Sequence, residues 1–366
     1  MKKIVNLSPL SSIQKILVVR RDNIGDLVCT TPIFRALRQH YPGAYICALV
    51  NSYNQPVLEN NPDIDVVFCY TKGKHRTADT GILTVYWRKF QLARCLRRER
   101  FDYAIIASPG FLPRVVRFLR LIKPKHIIGF VEPGKRGAEH IDISIPYTLP
   151  RAMHEVEDIF RLLEPLGIKG SPPPLRLIAN PAKALQAQQT LMGQQSLSRA
   201  MLLGIHISAR KASQRLPLES VVALIRSLHD RDNNTMFMLF WSPGESDNRL
   251  HPGDDSKVRE IMDQLSDMPV TTYPTHALSD LIGGLSLCDV VICSDGGAMH
   301  LAAGLGKPIL CFFGRSDKVR WRPWGVPYEL LQAPSLEVSD ISVEEAMVGF
   351  GQLLNKLKTE ANTISL

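Results

Sequence analysis

The sequence predicts an α/β protein with two domains, each built around a parallel β-sheet. The chain of 366 residues is long enough for two domains of ordinary size. Short apolar runs alternate with longer stretches of helical period, which is typical of βαβ units in a parallel sheet. The alternation stops near residue 170 and then resumes. We therefore expect two Rossmann-like α/β units of similar size, with sheets that face a central cleft.

The first half contains five predicted strands and two helical stretches. The strands are the apolar runs at residues 15–20, 44–50, 65–70, 101–108 and 126–130. A helical stretch follows the first strand as far as His40, and an amphipathic helix over 153–167 ends at Gly167. Residues 171–182 include three consecutive prolines and show no period, which is typical of an extended linker. The first domain is accordingly predicted over residues 1–170.

The second half repeats this pattern. Its predicted strands are the apolar runs at residues 201–208, 235–242, 270–273, 289–295 and 308–314. We assign residues 183–340 to the second domain and 341–366 to a C-terminal helix and tail that could pack on either domain. Open parallel sheets bind ligands beyond the carboxyl ends of their strands, so functional residues should cluster in the strand-to-helix turns.

The positive charge of the chain is confined to its first half. Residues 1–170 carry 26 Lys and Arg against 15 Asp and Glu, a net charge of +11, whereas the remainder carries 18 against 20. This asymmetry indicates that the first domain meets an anionic partner such as a phosphorylated lipid, a membrane surface or a nucleic acid. A basic face that is simply solvated explains the charge equally well.

The cysteines and the N-terminus indicate the compartment. Seven cysteines fall mostly within apolar runs and show neither C-x-x-C pairs nor ligand spacing with histidine, so we read them as buried thiols in a reducing compartment. The N-terminal stretch lacks the apolar core of a signal peptide, and no apolar run approaches the ~20 residues that a membrane-spanning helix needs. We expect a cytoplasmic protein, peripheral to a membrane.

Two strand-to-helix turns carry candidate chemistry. In the first, Gly25 allows a tight turn and Asp26 begins the next helix, where its carboxylate could act as a general base or as an N-cap. The helix N-terminus stabilises the carboxylate and weakens it as a base, so the two roles compete. In the second turn, Asp295 and two glycines precede His300. Backbone N–H groups at that helix start could hold a diphosphate, unless His300 is merely a packed residue behind a glycine-rich turn.

Two longer motifs resemble a known family. The segment NIGDLVCTTPIFRALRQHYP (23–42), and the segment SDGGAMHLAAGLGKPILCFFG (294–314) followed by RWRPWG (320–325), are similar to motifs of the ADP-heptose:lipopolysaccharide heptosyltransferases, glycosyltransferase family 9. The similarity extends from about residue 15 to 325. It implies the GT-B architecture, in which the N-terminal domain takes a lipid-linked acceptor and the C-terminal domain takes a nucleotide sugar.

The resemblance also implies roles for individual residues. Asp26 matches the family's general base. The predicted residues for the donor diphosphate and sugar are Asp295, Gly296, Gly297, Ala298, His300, Ser208, Lys211, Gln214 and Arg215. The predicted nucleoside contacts are Glu245, His276 and Ala277. Asp247 is an alternative to Glu245 as the ribose carboxylate, and it is equally possible that this acid is simply a solvated loop residue.

The chain departs from the family pattern at three positions. Gly296 stands where many members have Thr, Gln214 stands at a lysine position, and Leu216 stands at a tryptophan position. The backbone contacts of the glycine turn would survive the first change. Lys211 or Arg210 could supply the charge lost at Gln214, but an altered donor or a loss of activity would also be consistent with it.

The basic stretches 71–90 and 93–100 are candidates for acceptor binding. The predicted acceptor contacts are Arg21, Lys72, Lys74, Arg76 and Arg88. Arg94, Arg97 and Arg98 would share one helix face, either against lipid phosphates or in solvent. The RWRPWG segment is either a loop that lines the cleft or a packed turn.

The expected function is that of an inverting glycosyltransferase. It would move heptose from ADP-heptose to a lipopolysaccharide inner-core acceptor at the cytoplasmic face of the inner membrane, without a metal or cofactor. The alternatives are a transferase for another nucleotide sugar onto an anionic glycan, and a catalytically weak relative that binds a nucleotide or lipid. A nucleic-acid-binding protein is a distant third, because no recognition motif accompanies the basic half.

Overall fold

The structure is a computed structural model that describes residues 14–70, 82–132, 134–147, 152–194, 201–245, 247 and 253–364. The chain divides into two compact units, Met1–Pro173 and Pro174–Leu366. No helix within the described ranges is both long and apolar enough to cross a bilayer.

The first unit is built on a parallel sheet of six strands. These are β1 (Lys15–Val19), β2 (Tyr45–Asn51), β3 (Val66–Tyr70), β4 (Tyr103–Ile106), β5 (His126–Val131) and β6 (Ile143–Pro146). Their order in the sheet is β3-β2-β1-β4-β5-β6. Strand β1 lies between β2 and β4, with Ile16 opposite both Ile46 and Tyr103. Its residues Ile16–Val19 are buried, because helices cover both faces of a parallel sheet.

The described residues of the first unit form five α-helices. They are α1 (Ile24–Val28), α2 (Thr31–His40), α3 (Ile82–Glu99), α4 (Pro113–Ile122) and α5 (Glu155–Phe160). Helices α3 and α4 pack side by side in one apolar cluster, which joins Leu96 of α3 and Leu119 of α4 to Leu17 of β1. Short 3-10 segments lie at Ser52–Leu58, Ala138–His140 and Arg161–Leu166.

The second unit repeats the topology. Its strands are β7 (Met201–His206), β8 (Thr235–Trp241), β9 (Val270–Pro274), β10 (Val290–Ser294), β11 (Ile309–Phe313) and β12 (Tyr328–Gln332). The order is β12-β11-β10-β7-β8-β9, so the unit's first strand again lies between its second and fourth. Both sheets therefore have the doubly wound order of a dinucleotide-binding fold.

In the second unit, the part of the chain that the structure describes forms seven α-helices. They are α6 (Pro181–Gln194), α7 (Leu218–Arg231), α8 (Asp255–Gln264), α9 (Leu278–Leu287), α10 (Gly297–Gly304), α11 (Lys318–Trp321) and α12 (Val343–Ile364). Helix α12 packs on the sheet of this unit, where Phe350 and Leu353 join Leu310 of β11 in the core. Further 3-10 segments lie at Ala212–Gln214 and Val338–Asp340.

Each predicted apolar run forms a strand, and the structure adds β6 and β12. Both lie at sheet edges, where β6 alternates between buried and exposed residues and β12 is only half-buried. Their apolar signal is therefore weak.

Some helix predictions were wrong in detail. The helix predicted as far as His40 is two helices, because Cys29 and Thr30 form a turn between α1 and α2. The helix predicted over 153–167 changes from α to 3-10 after Phe160, and that 3-10 segment contains Pro165. It ends at Gly167, whose φ of +80° lies in the left-handed region, as the sequence predicted.

The cysteines are mostly buried, as predicted, but Cys95 is exposed. Burial raises the pKa of Cys47 to about 12, so this thiol stays protonated at neutral pH.

Candidate functional site

The first candidate turn follows β1 at the centre of its sheet. The strand order reverses at β1, and open α/β sheets bind ligands beyond the carboxyl ends of strands at such a point. The turn runs from Arg20 to Asn23 and leads into α1.

A buried arginine organises this turn. Arg20 is 1% exposed, and its guanidinium forms ion pairs with Glu155 at 2.8 Å, Asp22 at 3.0 Å and Asp26 at 3.1 Å. A further N–H of Arg20 donates to the Ala107 carbonyl at 2.5 Å. Burial works against the charged guanidinium, but the three carboxylates outweigh it and raise the pKa of Arg20 above its ordinary value.

Asp26 lies one turn further into the helix than the sequence indicated. The N-cap of α1 is Asn23, so the reading of Asp26 as the N-cap was wrong, and Gly25 lies inside the helix rather than in a tight turn. Asp26 Oδ2 accepts hydrogen bonds from the Asn23 backbone N–H at 2.8 Å and from Asn23 Nδ2 at 3.0 Å. Its Oδ1 faces Arg20, and the side chain is 13% exposed. The carboxylate thus supports the helix start while it remains accessible beyond the carboxyl end of β1.

Contacts from neighbouring strands fix the backbone of the turn. The Asp22 carbonyl accepts hydrogen bonds from the side chains of Asn51 at 3.1 Å and Asn54 at 3.0 Å. Asp22 Oδ2 accepts a hydrogen bond from Ser108 Oγ, which follows β4, at 2.9 Å. The turn is therefore held by residues from both strands that flank β1.

Sequence reasoning missed most of this cluster. Arg20 follows four buried residues of β1 directly, and a charge in that position was a usable signal. Glu155 carried no such signal, because it is 135 residues away from its partner.

The second candidate turn follows β10, which lies beside β7 at the centre of the other sheet. Asp295 is 7% exposed, and its Oδ2 accepts a hydrogen bond from Gln214 Nε2 at 2.6 Å. Gln214 Nε2 also lies 3.3 Å from Ser316 Oγ, a residue that the sequence did not single out. Burial raises the pKa of Asp295, although hydrogen bonds from Ser316 and Gln214 and the charge of Lys211 oppose that shift.

The glycine turn after Asp295 opens α10. Gly296 is the N-cap, and Gly297 and Ala298 begin the helix, so their N–H groups belong to the first turn and need partners outside the helix. A Cβ at Gly296 would meet no atom within 4 Å, so this position borders open space. His300 is 4% exposed, and its ring packs edge-on to Trp321 at a centroid distance of 6.0 Å. The RWRPWG segment is therefore brought to this turn by α11 and packs beside His300.

The loop after β7 contributes the other predicted donor residues. Ser208 Oγ donates to Asp254 at 2.5 Å, and Arg215 Nε donates to the Ala209 carbonyl at 2.8 Å. Lys211 is exposed, and its charge reaches Asp295. Lys257 of α8, which the sequence did not single out, also contacts this loop, since its Nζ donates to the Leu216 carbonyl at 2.5 Å.

The predicted nucleoside residues lie beyond β8 and β9. Glu245 is exposed next to Gly244, and Gly253 lies so close to Gly244 that a Cβ at Gly253 would be 2.1 Å from the Gly244 oxygen. His276 and Ala277 are exposed just before α9. The charge of His276 acts on Asp255, whose pKa is lowered chiefly by a hydrogen bond from Trp241. All predicted donor and nucleoside residues thus lie beyond the carboxyl ends of β7, β8, β9 or β10.

The predicted acceptor residues are only partly described. The Arg21 guanidinium lies 4.4 Å from the centre of the Tyr70 ring, and Arg88 is exposed on α3. Lys72, Lys74 and Arg76 lie outside the described residues. Among the residues that are described, no group of three or more His, Cys, Asp or Glu side chains is placed to hold a metal ion.

One protein-family model matches most of this chain. The model described as "Glycosyltransferase family 9 (heptosyltransferase)" matches residues 89–346. The chain belongs to glycosyltransferase family 9. It is accordingly a glycosyltransferase, and its pair of doubly wound units is the GT-B fold that the sequence predicted.

This family 9 member is similar to several named heptosyltransferases. It is 24% identical over 306 residues to an Escherichia coli "Lipopolysaccharide heptosyltransferase 3", covering 82% of this chain and 83% of that relative. A family 9 glycosyltransferase structure from Veillonella parvula matches with a TM-score of 0.77 at 20% identity, over 94% of this chain and 97% of that one. The E. coli heptosyltransferase WaaC with ADP matches with a TM-score of 0.72 at 16% identity, over 93% of this chain and 100% of that one. At these identities the two solved structures show a shared fold.

Proposed function

We propose that this glycosyltransferase transfers heptose from ADP-heptose to a lipopolysaccharide inner-core acceptor at the cytoplasmic face of the inner membrane. The names of the curated relatives support the reaction class, and similar solved structures contain ADP and ADP-2-deoxy-2-fluoro heptose. The observation that carries the proposal is the turn after β10, where a buried carboxyl group precedes a helix start that borders open space.

In this proposal the second unit binds the donor. The first N–H groups of α10 donate to the diphosphate, because a helix N-terminus combines unpaired donors with a positive partial charge. His300, Lys211 and Arg215 add positive charge or hydrogen-bond donors around it. Asp295 and Gln214 face the sugar, whereas Glu245, His276 and Ala277 border the nucleoside. Neither a metal nor a cofactor is required in this scheme.

The first unit supplies the base. Asp26 takes the proton of the acceptor hydroxyl as that oxygen attacks the anomeric carbon of the donor. The carbon–oxygen bond to the diphosphate breaks in the same displacement, so ADP leaves and the configuration at the anomeric carbon inverts. Arg20 is the positioning residue, because its buried guanidinium fixes one oxygen of Asp26 while Asn23 holds the other.

The acceptor is anionic in this scheme. Arg21, Arg88 and the predicted contacts Lys72, Lys74 and Arg76 provide positive charge in the first unit, whose net charge over residues 1–170 is +11. Phosphate or carboxylate groups of an inner-core precursor would complement that charge.

Gln214 motivates the second candidate function. Its neutral amide contacts Asp295 where the family pattern has lysine, so the donor site contains one cation fewer than that pattern implies. A different nucleotide sugar, or nucleotide binding without transfer, would be consistent with this change.

The decisive experiment is a transfer assay with purified protein, ADP-heptose and a truncated inner-core acceptor. We expect a heptosylated product in the presence of EDTA, and no product with UDP- or GDP-linked sugars. The Asp26→Asn variant is the matched control, since it preserves shape and removes the base. ADP-dependent thermal stabilisation without product would favour the binding protein, and product from another nucleotide sugar would overturn the choice of donor.

A further inference from the structure

The positive charge of the first unit is concentrated in two helices and the segments that adjoin them. Residues 82–125 carry eleven Lys and Arg against two acids, a net charge of +9, which equals the net charge of the whole chain. Both acids are already paired: Glu99 with Lys15 at 2.9 Å, and Asp102 with Lys125 at 2.6 Å. The excess charge of this region is therefore carried by other side chains.

The arginines of α3 lie on its solvent side. Arg94, Arg97 and Arg98 are exposed, whereas Ala93 and Leu96 are buried against the sheet. With 3.6 residues per turn, Arg94 and Arg98 fall on the face opposite the buried pair, and Arg97 lies at the border of that face.

Two aromatic residues continue the same exposed face. Trp87 is 60% exposed and Phe90 is 58% exposed, and their rings stack at a centroid distance of 5.9 Å. They precede Arg98 by about 12 to 17 Å along the helix axis. Large aromatic rings beside arginines are typical of helices that lie in a membrane interface, because the rings enter the headgroup layer while the cations meet lipid phosphates.

Helix α4 extends the charged face. Arg114, Arg117 and Arg120 recur at every third residue and are exposed, and Leu121 is 59% exposed beside them. Because α3 and α4 pack together on one side of the sheet, their exposed residues form one surface, which we name the α3–α4 surface.

A small basic pocket lies where the two helices end. It has a volume of about 220 Å³ and is lined by Arg97, Arg100, Phe101, Ile122, Lys123 and Lys125. Arg100 and Lys123 occupy the left-handed region, with φ of +54° and +57°, where glycine is usual after a helix. The pocket therefore combines four cationic side chains, of which Lys125 is paired with Asp102, with space for a phosphate group.

We propose that the α3–α4 surface docks the enzyme on an anionic phospholipid bilayer, with a lipid phosphate in the basic pocket. The proposal rests on the proposed function for the choice of membrane, and it deepens that function by naming the surface that meets the lipid. The exposed Trp87, Phe90 and Leu121 favour a bilayer over a nucleic acid, since an interface buries apolar side chains beside its phosphates.

Vesicle co-sedimentation tests the docking without any substrate. The probes are vesicles of phosphatidylcholine alone and vesicles of phosphatidylcholine mixed with phosphatidylglycerol. We expect binding to the anionic vesicles only, with weakening at high salt. Replacing three arginines should reduce the apparent affinity roughly 100-fold or more. The variant carries Arg94→Glu, Arg97→Glu and Arg98→Glu.

A matched control reverses as many exposed charges elsewhere in the same unit. It carries Lys135→Glu, Arg136→Glu and Lys169→Glu, all at exposed positions. We expect this control to bind anionic vesicles within about twofold of the wild type. A second variant, with Trp87→Ala and Phe90→Ala, should weaken vesicle binding without any change in charge. Every variant should give the far-ultraviolet circular dichroism spectrum and the urea midpoint of the wild type, which shows that each one folds.

Three results would overturn the docking proposal. The first is that the arginine variant binds anionic vesicles as tightly as the wild type does. The second is that the control variant loses as much vesicle affinity as the arginine variant. The third is that the wild type binds duplex DNA more tightly than anionic vesicles. Failure of the transfer assay with a soluble acceptor would leave vesicle binding unaffected. Failure of the docking proposal is therefore distinguishable from failure of the proposed reaction.

Discussion

Each unit places a carboxylate beyond a central strand of its sheet, but the two carboxylates have different surroundings. In the first unit, Asp26 follows β1 and shares the buried cation Arg20 with Asp22 and Glu155. In the second unit, Asp295 follows β10 and accepts a hydrogen bond from the neutral amide of Gln214. The repeated topology therefore decides where each site lies, whereas a few side chains decide its charge.

The difference separates two kinds of preorganisation. The first carboxylate is fixed by an ion-pair cluster, which depends on the cation, because removing Arg20 would leave Glu155 buried without the positive charge of its ion pair. The second is fixed by a neutral donor, and burial raises its pKa. We expect mutations at the two turns to differ in size and in pH dependence, and the following predictions test this.

The largest effect is expected from Asp26→Ala. Loss of the proposed general base should lower kcat by about 10²- to 10⁴-fold and leave ADP affinity unchanged, since the proposed ADP site lies in the other unit. Steady-state kinetics and calorimetric titration with ADP measure the two quantities. Unaltered turnover would remove Asp26 from the mechanism and would make the first turn purely structural.

Arg20→Leu should destabilise the first unit by about 3–5 kcal/mol, because it leaves buried carboxylates without their cation. Gln214→Leu is the equivalent change in the second unit, and it should cost about 1–3 kcal/mol for a lost hydrogen bond to a buried acceptor. Urea denaturation measures both free energies of unfolding. Arg38→Leu, which breaks a partly exposed pair with Asp65, should cost about 1 kcal/mol or less. Equal costs at Arg20 and Gln214 would contradict the comparison.

His300→Ala should weaken ADP binding about tenfold, because one donor near the diphosphate is lost. The fold should survive, since the helix start does not depend on this side chain. Calorimetric titration with ADP measures the change, with Asp26→Ala as the variant that should retain full affinity. If His300→Ala binds ADP as the wild type does, His300 is a packing partner of Trp321.

The smallest effect concerns Asp295 and pH. A raised pKa means that the folded state binds the proton more tightly than the unfolded state does. The contribution of this carboxyl group to stability is therefore fully present below the ordinary Asp pKa of about 3.9, and it is lost as pH rises through the folded-state value. Asp295→Asn should be more stable than the wild type near neutral pH, and the difference should shrink as the solution is acidified.

Urea midpoints measured across this pH range provide the test for Asp295. Asp102→Asn serves as the opposite case, because hydrogen bonds and the charge of Lys125 outweigh burial and lower the pKa of Asp102. Its folded-state stabilisation is present above the ordinary pKa and is lost on acidification. The two variants should therefore change stability in opposite directions at neutral pH, and a shared direction would contradict the assigned shifts.

The sequence determined the sheet units, the turns that follow their strands and the segregation of positive charge, because apolar period, glycine positions and charge are local properties of the chain. The tertiary structure alone decided the partners in each turn. Glu155 meets Arg20 across 135 residues and Gln214 meets Asp295 across 81. Such pairs depend on which loops the strand order brings together beyond the carboxyl ends of the strands. The strands β6 (ISIP) and β12 (YELLQ) were likewise missed in the sequence, because short runs with polar residues carry little apolar signal and form only when a paired neighbour offers its backbone.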